Sequence, residues 1–155
     1  MTQKKLQHFY IANDQSIYLL SHKDAAKLKQ WIELCKTQLK QLGYHQVELL
    51  GKGAYGFVFC AEDDLGKQQV FKFSRLTLPQ HVQDRLGEEA EMQSVLRHPK
   101  IPHLYEYLKI KRQNILHMSR APGLDLDELS HQVGPLPAEQ IVDLTIQLVE
   151  LLQFI

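Results

Sequence analysis

Cysteine is scarce in this sequence: Cys35 and Cys60 are the only two in 155 residues. A disulfide-rich framework is excluded. One falls in a helical pattern and the other in a strand pattern. Buried free thiols are therefore expected rather than a bridge, in a reducing, cytoplasmic compartment. Long apolar runs are missing too. None reaches the roughly 20 residues that a membrane-spanning helix needs. The opening MTQKKLQHFYIAND has no apolar stretch of signal-peptide length, so no membrane contact is expected. Neither sign of charge is in excess: 18 Lys and Arg balance 18 Asp and Glu. That removes any global pull toward nucleic acid or an anionic surface. The eight histidines never fall in an H-x-H pattern, and no C-x-x-C occurs, so no metal site is expected. No internal repeat or low-complexity tract is present.

What remains is an ordinary globular composition, 44% hydrophobic and 23% charged, at a length that suits one domain with a real core. Residues 6–20 read as a hairpin, with HFYIA and SIYLL around Asn13, Asp14 and Gln15. Ser21 and Asp24 make a capping box. Leu28, Trp31, Ile32, Cys35, Leu39 and Leu42 then recur at helical spacing, and Gly43 suits the stop. From Tyr44 the period changes. HQVELL, FVFCA and QVFKF read as strands, residues 78–96 as a helix, and LYEYLKI and NILHM as strands joined by the polar turn 111–114. SRAPG reads as a linker. A short helix over 125–131 and a long one beginning at Pro137 close the chain. The expected fold is α+β: a five-stranded antiparallel sheet with one inserted helix, preceded by a hairpin and helix and followed by two helices.

The most informative stretch is GKGAYGFVFCAEDDLGKQQVFKF, residues 51–73. Its glycines, Gly51, Gly53 and Gly56, follow a G-x-G-x-x-G pattern. A Walker A loop needs Lys and Ser or Thr after the last glycine, and Phe57 stands there. A dinucleotide fold needs a helix after it, whereas Phe57 to Ala61 look like a strand. A glycine-rich turn between two strands, folded over phosphates, fits with Val58 in place. A plain glycine-rich hairpin fits the glycines equally well.

Alternation in the next strand puts Val70, Lys72 and Ser74 on one face, and Phe71 and Phe73 on the other. Lone strand lysines usually sit at edges facing water. A buried one needs a carboxylate. The following helix supplies it: Glu89 lies within the stripe of Val82, Leu86, Gln93 and Leu96, while Glu88 and Glu91 lie off it. Lys72 and Glu89 explain each other as an ion pair.

From Tyr44 to Ile155 these residues, in order and spacing, resemble the eukaryotic-type protein kinases. LGKGAYGFVF resembles the family's glycine-rich loop, and VFKF its lysine strand. EEAEMQSVLRHPKI resembles its C-helix, and NILHMSRAPG its fifth strand and hinge, with Met118 as gatekeeper. LPAEQIVDLTIQLVELLQFI resembles the long helix of its C-terminal lobe. The resemblance implies an extension over 1–43, an N-lobe over 44–118, a hinge over 119–123 and the start of a C-lobe over 124–155. It implies ATP as cofactor, with Mg whose ligands are not in this chain. Gly51, Gly53 and Gly56 would cover the phosphates with backbone N–H groups. Lys72 would contact the α- and β-phosphates, with Glu89 orienting it. Leu50, Val58 and Val70 would line the adenine pocket, and backbone groups of Ser119 and Ala121 would bond the adenine edge. Val70 departs from the family's usual alanine and tightens that pocket. Ser119 and Arg120 are unusual hinge residues.

The family's His-Arg-Asp loop and Asp-Phe-Gly motif do not occur in the 155 residues. Asp64-Leu65-Gly66 precedes Lys72 and is turn punctuation. The apolar VELLQFI ending makes a fragment of a longer serine/threonine kinase the leading expectation, inactive alone and self-associating through 137–155. In the longer protein the γ-phosphate would go to a protein hydroxyl. The alternative is a pseudokinase or docking module without catalysis. A small-molecule kinase is disfavoured by the glycine triplet and by His98-Pro99.

Overall fold

A computed structural model of the chain describes residues 9–11, 17–19, 22–110 and 112–155, with side chains from residue 26 onward. The elements in chain order are β1 (Phe9–Ile11), β2 (Ile17–Leu19), α1 (His22–Gln41), β3 (His45–Lys52), β4 (Gly56–Glu62) and β5 (Gln68–Ser74). They continue with α2 (Gln80–Val95), β6 (Leu104–Ile110), β7 (Gln113–Ser119), α3 (Leu126–Val133) and α4 (Ala138–Phe154). Strands β1 and β2 pair antiparallel, as the hairpin reading expects. Its turn over 13–15 and the Ser21–Asp24 box lie outside the described residues. The main sheet has five strands in the order β3-β4-β5-β7-β6, with every neighbour antiparallel. The expected α+β architecture, with one helix inserted between the third and fourth strands of this sheet, is the one observed.

Helix α1 ends on Gly43, whose φ of +89° is open to glycine at no steric cost. The Tyr44 N–H reaches back to Leu39 O (3.0 Å) and the Gly43 N–H to Lys40 O (3.1 Å), a Schellman closure. That closure turns the chain straight into β3 and lays α1 across one face of the sheet. Leu28, Cys35 and Leu39 from α1 share a core with Phe57, Phe59, Ala61, Phe71, Phe73 and Ile115. Trp31 and Ile32 pack at its margin. The rings of Phe59 and Phe73 meet edge to face at 5.5 Å. The alternation rule assigned Phe71 and Phe73 to the face opposite Lys72, and this is the side they occupy. So α1, read as an extension of the domain, closes the back of its sheet. Both cysteines are free and buried. Burial pushes the Cys35 thiol up to about 11, so it stands neutral in this core.

The front face carries a smaller apolar cluster, Leu86 and Ala90 of α2 with Leu104 and Leu116, and Met118 at its edge. Several element boundaries differ from expectation by one or two residues, among them those of β7 and α4. Gln113, read as a turn residue, and Asn114, read both in that turn and as the first residue of the NILHM strand, belong to β7 and are buried. Their side-chain N–H groups find acceptors inside the fold, which polarity alone does not reveal. Pro137 is the N-cap of α4 rather than its first residue, with ψ at 145°. Asp125 caps α3, accepting from the Glu128 N–H at 2.8 Å. Helix α4 has no buried residue, and Ile141, Val142, Ile146, Leu148 and Leu152 are all exposed. It touches the segment after α2 through Lys100 Nζ to Gln147 Oε1 (3.1 Å) and the rings of His98 and Phe154 (4.8 Å).

Candidate functional site

The front face gathers the residues that the sequence singled out. Strand register sets Val58 opposite Lys72, Cys60 opposite Val70, Val70 opposite Met118 and Lys72 opposite Leu116. Directly opposed residues point to one face, so Val58, Val70, Lys72 and Met118 lie on a common surface. Glycine Gly51 pairs with Val58, while Leu49 pairs with Phe59. One residue of β3 is therefore extra, and it is Leu50, in a bulge at the mouth of the glycine turn. Ser119 and Ala121 follow Met118 as the chain leaves the sheet. The Ser119 N–H is committed to His103 O at 2.8 Å. Of its backbone groups, only the carbonyl could serve a ligand. Ala121 is exposed.

Lys72 and Glu89 meet as predicted. The ammonium donates to both carboxylate oxygens, at 2.7 and 2.6 Å. The pair is only partly buried, at 31% and 41% side-chain exposure. Pairs of this kind contribute about 1 kcal/mol or less to stability. What it supplies is geometry: a cation held at one point on the front face, with one side open. Glu88 and Glu91 face solvent.

The three glycines have different reasons to be glycine. A Cβ on Gly56 would lie 2.2 Å from Phe73 O, so the approach of β4 to β5 demands it. Gly51 would meet nothing within 4 Å, and Gly53 only Gly56 O at 3.9 Å. Neither has a left-handed φ. Nothing in the fold requires glycine at 51 or 53; close approach of a ligand to that backbone would. The Gly53 N–H donates to Gly56 O at 2.9 Å and closes the turn on itself. In this arrangement the Gly53 N–H is not offered to a ligand.

Between the turn and α2 lies a cavity of about 220 Å³, lined by Tyr55, Lys72, Ser74, Val82, Gln83, Arg85, Leu86 and Glu89. It adjoins the Lys72 end of the front face. Leu50, Val58, Val70 and Met118 do not line it. Three features escaped the sequence reading. Gln83, on α2, is 1% exposed and occupies the position expected of an apolar residue. It lies three residues before Leu86, a helical spacing that carried the signal. Asn114 alternates with Leu116 and Met118 in the expected NILHM strand, and its complete burial is what its polarity hid. Arg120 turns its guanidinium onto Cys60 Sγ at 3.0 Å, beside the Cys60–Val70 pair.

The family described as "Protein kinase domain" matches residues 44–155. Serine/threonine-protein kinase C of Synechocystis is 30% identical over 131 residues, which cover 77% of this chain and 24% of that protein. Serine/threonine-protein kinase PknH of Mycobacterium bovis is 28% identical over 111 residues, 68% of this chain and 18% of that one. The chain thus spans about a quarter or less of these curated relatives. Among solved structures, a point mutant of the Mycobacterium tuberculosis PknI kinase domain superposes with a TM-score of 0.58 at 21% identity, covering 72% of this chain and 47% of that one. Rad53 in complex with AMP-PNP gives 0.50 at 22% identity, covering 69% and 30%. At these identities the structural likeness establishes the fold.

Proposed function

This chain belongs to the protein kinase family, and from that premise we propose that its front face binds ATP for phosphoryl transfer to serine or threonine hydroxyls of a protein. One observation carries the reading. Lys72 is held by both oxygens of Glu89 beside a turn in which Gly51 and Gly53 have no structural reason to be glycine. In this reading Lys72 meets the α- and β-phosphates, with Glu89 fixing its position. Gly51 and Gly53 let the phosphates approach, and backbone N–H groups around Gly56 donate to them. Leu50, Val58 and Val70 enclose the adenine, with Met118 behind it. The Ser119 carbonyl and the Ala121 N–H take the adenine edge. Rad53, which shares the fold, was solved in complex with AMP-PNP, and that supports a nucleotide as the ligand.

ATP would supply the phosphoryl group. Among the described residues no three His, Cys, Asp or Glu side chains are grouped to hold a metal. As the family implies, Mg would arrive with the nucleotide, held in part by its phosphates. No His-Arg-Asp or Asp-Phe-Gly motif occurs in the 155 residues. We place the transfer step in residues outside them and expect this chain alone to bind without transferring. Two buried free thiols suit the cytoplasm. The exposed apolar side of α4 favours self-association, and a monodisperse monomer in light scattering at high concentration would contradict that.

The test is Mg-ATP affinity by calorimetry for the wild type and Lys72→Ala. Losing a charge-assisted contact should weaken binding by about 10- to 100-fold. Equal affinities would remove the role given to Lys72.

A further inference from the structure

Helix α2, which carries Glu89, is held on the sheet by direction more than by area. Its buried residues are Gln83, Leu86 and Ala90, and Gln83 is the most buried of them. Met92 and Val95 are exposed. Two apolar contacts tolerate a helix that slides or turns slightly. Buried amides do not, because a displaced donor or acceptor is left without a partner and without water.

The amides here form one connected set. Gln83 Nε2 donates to Leu78 O at 2.8 Å, ahead of the helix. The Ser74 hydroxyl donates to Gln83 Oε1 at 3.3 Å and accepts from the Asn114 N–H at 3.0 Å. Asn114 Nδ2 donates to Gln83 O at 2.7 Å. Ser74 lies two residues after Lys72 on the same face of β5, and Gln83 lies six residues before Glu89 on α2. The set therefore ties the strand of the lysine to the helix of the carboxylate. It also passes through the sheet. Gln113 Nε2 donates to Ser74 O at 3.1 Å and to Cys35 Sγ at 3.5 Å, on the side covered by α1.

We propose that Gln83, Asn114 and Ser74 are positioning residues for the Lys72–Glu89 pair, and that Gln113 extends this linkage to α1. The helix α1 thereby bears on a pair that it does not touch. The consequence for nucleotide rests on the function proposed above; the consequence for α2 does not.

Two variants test it on the full chain, Asn114→Leu and Gln83→Met, each close in size and apolar. Without ligand, amide hydrogen exchange over residues 80–95 should quicken about tenfold in both, with β4 and β5 unchanged. With Mg-ATP, Asn114→Leu should weaken binding about three- to tenfold in the wild type, yet add nothing in Lys72→Ala, because both act through one pair. Unchanged exchange in both variants would overturn the proposal. So would equal quickening across β4 and β5, or additive losses of affinity. If the wild type does not bind Mg-ATP, the functional reading falls, and the exchange result still decides the positioning role.

Discussion

The two faces of the main sheet are held by different physics. On the back, α1 meets Phe57, Phe59, Phe71 and Phe73 in a core of fully buried rings and aliphatic chains. Each such side chain contributes about 1.5–3 kcal/mol by leaving water. On the front, α2 meets the sheet through two buried apolar residues, a cluster of amides and the ion pairs Lys72–Glu89 and Lys109–Asp84. Apolar burial is strong but weakly directional. Amides and ion pairs give little net stability and fix angles and distances. The back face accordingly sets whether the domain folds, and the front face sets where Lys72 and Glu89 stand. A binding site needs the second property, and it can be thin in the first because the back face supplies it.

The largest effect should come from breaking the back face. Phe71→Ala removes a ring with no exposed surface and should cost about 3–5 kcal/mol in urea denaturation. Lys72→Ala, directly across the sheet, should change stability by about 1 kcal/mol or less while weakening nucleotide binding. If Lys72→Ala proved as destabilising as Phe71→Ala, the division of labour between the faces would be wrong.

The glycines sharpen the same comparison within one turn. Gly56→Ala drives a Cβ into Phe73 O, which is backbone and cannot swing aside. The strand must shift, at about 1–3 kcal/mol. Gly53→Ala enters nearly open space and should alter stability by about 0.5 kcal/mol or less. Its loss should appear in Mg-ATP affinity instead. Thermal unfolding of the two variants, each with and without nucleotide, separates the cases. A Gly53→Ala protein that melts like Gly56→Ala would make all three glycines structural.

Much of this was legible beforehand, for identifiable reasons. Lys72 and Glu89 could be paired because a charge between apolar neighbours requires a counter-charge, and the helical period put one carboxylate on the packed face. That the segments around the site are strands followed from alternation and turn residues, whereas their order in the sheet did not. The cover on the back face was not legible. The stripe Leu28, Cys35 and Leu39 says that a side of α1 is buried, but not against what. Nor were Gln83 and Asn114, because an amide in a core position looks like a surface residue until its partners are known. The bulge at Leu50 is set by pairing across two strands, which no single segment encodes.

The smallest expected effect lies on the back face, where a histidine sits among the rings. His117 stacks on Phe71 at 4.5 Å and nearly parallel, lies 5.0 Å from Tyr105, and is hydrogen-bonded to the Gln69 side chain. Burial, helped by the Lys67 charge, holds its pKa below the ordinary imidazole value. The unfolded chain, titrating near about 6.5, therefore takes up this proton first as the pH falls. Stability from the neutral ring is intact above that value and is lost as the pH drops from there through the folded-state value. His117→Phe keeps a ring on Phe71 and cannot titrate. It leaves Gln69 without its partner, an offset that does not vary with pH. Urea denaturation at about pH 7.5 and about pH 5.5 should then show the wild type losing more stability than His117→Phe. Equal losses would mean that the ring is already open to protons in the folded protein, and that the back face is less closed than its packing implies.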